Sequence, residues 1–154
     1  MFEPLDNQEY RDIYEPQGRG ICGISCLAVI CKCSCREILE KWGDYKGFTP
    51  NRELRSFLEK EGYAIKVFCG NKRKDFPYSE GKIHLCRVQW LGDEGGEFHG
   101  YSNWHDATCN THLIVVDGTK VYCNAQGWFD LVLLPQYLGD EGYITSFFEV
   151  QKIQ

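Results

Sequence analysis

From Cys22 to about Ile30 the run CGISCLAVI is apolar on nearly every side, and it follows the loop QGRG. A segment of small and aliphatic residues with no polar face predicts a buried helix starting near Cys22. A second helix is predicted from Ser34. There Ser34-Cys35-Arg36-Glu37 matches a capping box, Ile38, Leu39 and Trp42 form an apolar stripe, and Gly43 closes it. A third takes Thr49 as N-cap and Pro50 as first helical residue, with Leu54, Phe57 and Leu58 as the stripe and Gly62 as the stop. Residues 1–20 are polar and carry Pro4, Pro16, Gly18 and Gly20, so they predict an extended lead-in with little core of its own.

Beyond Gly62 the apolar period falls from helical to alternating. Strands are predicted at YAIKVF (63–68), KIHLCRVQW (82–90), THLIVV (111–116), KVYCN (120–124), FDLVLL (129–134) and TSFFEV (145–150). Asp117-Gly118-Thr119 is a tight-turn signal that makes 111–116 and 120–124 antiparallel neighbours. The segment 91–110 is long, glycine-rich and carries His99, Trp104 and His105, the pattern of a functional or mobile loop. It is expected to act as a lid whose glycines allow movement. No repeat or linker interrupts the chain. The expectation is one α+β domain spanning 1–154, helices first and an antiparallel sheet second.

Composition narrows the function. The chain has 154 residues, 43% hydrophobic and 25% charged, as a globular domain requires. Its 17 Lys and Arg stand against 22 Asp and Glu, a net charge of −5, which argues against generic binding of nucleic acid or an anionic membrane. No apolar run approaches the roughly 18 residues of a membrane span, and the N-terminus has no leader-like apolar region. A cytoplasmic, reducing location is expected. The nine cysteines, Cys22, Cys26, Cys31, Cys33, Cys35, Cys69, Cys86, Cys109 and Cys123, are then thiols or metal ligands rather than a disulfide framework.

Cys22 has two readings: a small residue opening a core helix, or a nucleophile. A helix N-terminus lowers a thiol's pKa because its unpaired N–H groups favour the thiolate. A nucleophile needs a base. Among His84, His99, His105 and His112, the last opens the strand HLIVV, where a rigid ring can stand at a cleft edge. A base needs an orienting acceptor. Pairing through a 117–119 turn brings Asn124 beside His112 or within a residue or two of it, and Asp130 and Asp117 are the rivals. Asp117 is also explained by the turn, and Asp130 needs the strand to bend back. Gln17 is a candidate oxyanion donor across the Gly18 to Ile21 loop.

Gln17 with Cys22-Gly23-Ile24-Ser25-Cys26-Leu27 resembles the nucleophile motif of papain-like thiol peptidases, most of all the peptidase domains that remove double-glycine leaders from bacteriocins. His112-Leu-Ile-Val-Val and Lys120-Val-Tyr-Cys-Asn resemble the histidine strand of those domains and the strand after it. The resemblance covers about 17 to 130. It implies a papain-like fold with Cys22 as nucleophile, His112 as base, Asn124 as orienter and Gln17 in the oxyanion hole. It implies a peptide or protein substrate and no cofactor. The Gln-to-Cys interval is five here rather than the family's usual six, and Asn124-Ala125 replaces an Asp-Pro pair. Deamidases, transglutaminases and ubiquitin-like-protein hydrolases share the same thiol acyl-transfer step. Two other classes compete. Cys26, Cys31, Cys33 and Cys35 offer thiolates to a metal, although C-x-C-x-C fits structural zinc spacing poorly. A non-catalytic interaction or inhibitor protein on a papain-like frame is the other.

Overall fold

The computed structural model describes residues 1–74, 81–90 and 111–153, with the backbone alone at 69–72. The expected lid at 91–110, with His99, Trp104, His105 and Cys109, lies outside the described residues. The helices are α1 (Asn7–Tyr14), α2 (Cys22–Cys31), α3 (Cys35–Trp42), α4 (Asn51–Lys60) and α5 (Leu134–Leu138). The strands are β1 (Tyr63–Arg73), β2 (Ile83–Trp90), β3 (Thr111–Asp117), β4 (Lys120–Cys123), β5 (Gly127–Asp130) and β6 (Gly142–Lys152). They form a six-stranded antiparallel sheet in the order β1-β6-β2-β3-β4-β5. The chain is therefore α+β, with four helices ahead of the sheet. Among the described residues no helix is long and apolar enough to cross a membrane.

Both faces of the sheet are covered, which is why β2 and β3 read as runs of buried residues rather than as half-polar strands. On one face Leu85, Leu113, Val115, Tyr122 and Phe148 pack with Ile24, Leu27, Ile38, Leu54 and Leu58 of the helices. On the other, Cys86, Val88, Ile114, Val116, Val121 and Cys123 pack with Leu134 and Leu138 of α5. The alternation along β3 and β4 thus separates two cores.

Helix α2 lies at the centre of the first core and is buried from Gly23 to Ile30, as its all-round apolar sequence requires. Its small residues let it sit close to its neighbours. A Cβ added to Gly23 would stand 2.0 Å from Thr49 Oγ1, so only glycine fits there. Buried polar groups fix its placement on the sheet: Ser25 Oγ and Tyr122 Oη share a 2.7 Å hydrogen bond, and the Tyr63 hydroxyl donates to the Ile30 carbonyl at 3.2 Å. The helix ends at Lys32, which adopts the left-handed conformation at φ 55°.

Three sequence expectations change. The lead-in is not extended: α1 and a 3-10 turn at Glu15–Gln17 occupy most of it. Tyr10 and Tyr14, one turn apart, lie against the first core, while the Asp6 carboxylate accepts from the Cys35 and Arg36 amides at the start of α3. Helix α4 starts one residue later than expected. Pro50 is its N-cap, without a side-chain bond, and the buried Thr49 is left in the preceding loop. The run 129–134 is strand only to Asp130. Leu131–Leu133 form a 3-10 turn and α5 follows, because Pro135 suits the first turn of a helix and cannot donate to a sheet ladder. The predicted cap of α3 is present, with Ser34 Oγ accepting from the Glu37 amide at 3.1 Å.

Candidate active site

The N-terminus of α2 has no side-chain cap. Ile21 is its N-cap residue, buried and unable to accept a hydrogen bond, so the first-turn N–H groups and the helix dipole remain available to an anion at Cys22. Cys22 and Cys26 lie one turn apart on the face of α2 that meets β3. Cys26 Sγ donates to the Leu113 carbonyl at 3.3 Å, and the Leu113 amide donates toward the Cys22 sulfur. The two cysteines thus bracket one residue of β3, and that residue is next to His112. The result sets the His112 imidazole beside Cys22, ninety positions away in sequence, so that each acts on the titration of the other.

Titration follows from this placement. Burial pushes the Cys22 thiol up, but the hydrogen bond and charge of His112, the Leu113 amide and the Arg87 guanidinium together bring it below its ordinary value. Burial pushes His112 down, yet hydrogen bonds to Cys123 and Cys22 and their charges carry it up to about 10. The site therefore favours a thiolate–imidazolium pair. Arg87 is itself buried and is held by neutral groups: Asn51 Oδ1 at 3.0 Å, Thr111 Oγ1 at 3.0 Å and the Thr49 carbonyl at 2.6 Å. Its charge acts on Cys22 without a carboxylate among these hydrogen-bond partners to compensate it.

The acceptor beside His112 Nε2 is Cys123, with Sγ at 3.2 Å, and not Asn124. Register explains the difference. The loop of the β3–β4 hairpin is the two residues Gly118 and Thr119, closed by the pair Asp117–Lys120, with Gly118 at φ 61°. A turn spanning all of 117–119 would have set Asn124 opposite His112, whereas the shorter loop moves the pairing by one. A one-residue slip exchanges the faces of a strand, so His112 shares its side with Ile114, Val116, Val121 and Cys123. Asn124 falls just past β4, buried, where its carbonyl accepts from Asn7 Nδ2 at 2.8 Å. The rivals stand elsewhere: Asp117 closes the far end of the hairpin, and Asp130 is exposed and paired with Lys120. Gln17 is also exposed, and its Nε2 donates back to the Ile13 carbonyl at 2.8 Å rather than facing the thiol. Besides the Leu113 amide, the donors that the described residues place beside Cys22 are the first-turn backbone N–H groups of α2.

Of the seven cysteines whose side chains are described, all are free, and the two that His112 touches are pushed down. Burial pushes the others up: Cys31 to about 11, Cys35 to about 12, and Cys26, Cys33 and Cys86 in the same direction. Among the described residues no three His, Cys, Asp or Glu side chains stand together as a metal site, and Cys26 and Cys35 are in the core. No protein-family model matches the chain, and a comparison with curated proteins finds no match either.

Proposed function

We propose that the protein is a papain-like thiol hydrolase that cleaves a peptide, isopeptide or amide bond in a peptide or protein substrate. The observation that carries this reading is the juxtaposition of Cys22, at the uncapped start of a buried helix, and His112, with the thiol pushed down and the imidazole pushed up by each other's presence. The Cys22 thiolate attacks the substrate carbonyl carbon, and the carbonyl electrons move onto oxygen, where the first-turn N–H groups of α2 receive them. Collapse of the tetrahedral adduct breaks the C–N bond as His112 gives its proton to the leaving amine. Water, deprotonated by His112, then resolves the thioester and regenerates the pair. Deamidation of a glutamine side chain follows the same steps with ammonia leaving. Free thiols throughout the described chain fit a reducing, cytoplasmic setting.

Iodoacetamide labelling at pH 7 tests the reading. Cys22 is expected to react at least tenfold faster than the other thiols, and His112→Ala is expected to remove that advantage. Cys22→Ala should leave no fast-reacting site. Slow, uniform labelling of all the thiols would sink the enzyme reading and leave a non-catalytic interaction protein.

A further inference from the structure

The side of His112 that Cys22 does not explain is occupied by a second sulfur. Cys123 Sγ lies 3.2 Å from His112 Nε2, and the Tyr137 hydroxyl of α5 donates to the same sulfur at 3.3 Å. The Ala125 amide, in the turn after β4, also favours the thiolate form of this sulfur. A thiol that only fills space does not gather an imidazole and a phenol hydroxyl. Cys86 shows the contrast: it belongs to the same core cluster, and burial pushes its thiol up against the charge of Arg73. Sulfur accepts weakly as a thiol and well as a thiolate, so an imidazole and a hydroxyl converging on one sulfur describe an anion site.

We propose that Cys123, as a thiolate, is the positioning residue of the site: it fixes the orientation of the His112 ring and holds it as imidazolium for Cys22. This deepens the thiol-hydrolase reading and rests on it. Cys123 takes the place in the site that an amide or carboxylate side chain would otherwise fill. It is not a second nucleophile, because it is 2% exposed, whereas Cys22 is only partly buried. The groups that act on the imidazole among the described residues are Cys22 of α2 and Cys123 of β4; behind them stand Arg87 of β2 and Cys26 of α2, which act on the Cys22 sulfur, and Tyr137 of α5, which donates to Cys123. Burial pushes Cys123 up, but His112, Tyr137 and the Ala125 amide bring it down to about 7. Near neutral pH the thiolate is therefore already available.

The test follows His112 by imidazole NMR and Cys22 by iodoacetamide labelling, both across pH 5 to 11. In Cys123→Ala the His112 titration is expected to move to lower pH by at least one unit, and Cys22 labelling at pH 7 to fall about tenfold. Labelling above pH 10 should stay near the native rate. Cys123→Asp, which restores an anionic acceptor, should recover most of the loss, and Cys123→Ser should not. Tyr137→Phe keeps the ring and removes one donor, and is expected to shift His112 the same way by a smaller amount. It serves if Cys123→Ala does not fold. His112 titrating in Cys123→Ala, or in Tyr137→Phe, where it does in the native chain would overturn the proposal. Fast native labelling of Cys22 with no effect of either variant would sink this inference alone. Slow native labelling would instead sink the hydrolase reading.

Discussion

Gly23 shows how closely the site depends on contacts one atom wide. Its Cα faces Thr49, whose side chain would meet an added methyl at 2.0 Å and whose carbonyl holds Arg87. Gly23→Ala is expected to cost about 2 kcal/mol in urea denaturation and to slow Cys22 labelling, because Thr49 must move and Arg87 with it. A stability unchanged by the substitution would mean that α2 has room to shift. At this scale the placement of the candidate residues was partly legible. Cys22 and His112 stand out because each sits at a local boundary, a loop-to-helix start and a strand start, that composition marks. Cys123 does not stand out, because nothing near it in sequence differs from a core cysteine. Its neighbour Asn124 is the more familiar acceptor, and only the length of the turn at Gly118–Thr119 decides which of the two meets the imidazole.

Elements were legible where local signals are strong and shifted where distant contacts decide. The three helices between Cys22 and Lys60 follow their stripes and stops to within a residue. α1 was missed because none of its residues is buried and it is held by partners far along the chain, Asn7 to Asn124 and Asp6 to the start of α3. Polar contacts of that kind leave no period in the sequence. α2 ends on a left-handed lysine, Lys32, at φ 55°, a conformation that costs a side chain with a Cβ about 1 kcal/mol. Lys32→Gly is expected to raise stability by about 0.5 kcal/mol or more, seen as a melting temperature higher by about 2 °C. A lower melting temperature would show that the lysine makes up the strain in a contact of its own.

The stability of the whole molecule is tied to pH through the pair His112 and Cys123. His112 titrates near 10, above its unfolded value of about 6.5, so its contribution is complete below the latter and lost as pH rises through about 10. Cys123 titrates near 7, below an unfolded thiol's value of about 8.5, so its contribution is present above the latter and lost as pH falls through about 7. Their mutual attraction therefore operates between about 7 and about 10. The difference in urea midpoint between the native chain and Cys123→Ala is expected to narrow on both sides of that window. A difference that stays constant from pH 5 to 11 would rule out the ion pair as a source of stability.

The place of β6 orders events in time. β1 and β2 do not pair with each other; each pairs with β6, which lies between them. A ribosome therefore releases Cys22, His112 and Cys123 before the strand that joins the two parts of the sheet has been made. Until then the nascent chain carries Cys22 together with two open strand edges, both ready to pair with another molecule. The segment 142–152 closes both at once, so the making of β6 is what separates a sheet closed on itself from one inclined to associate through its own edges.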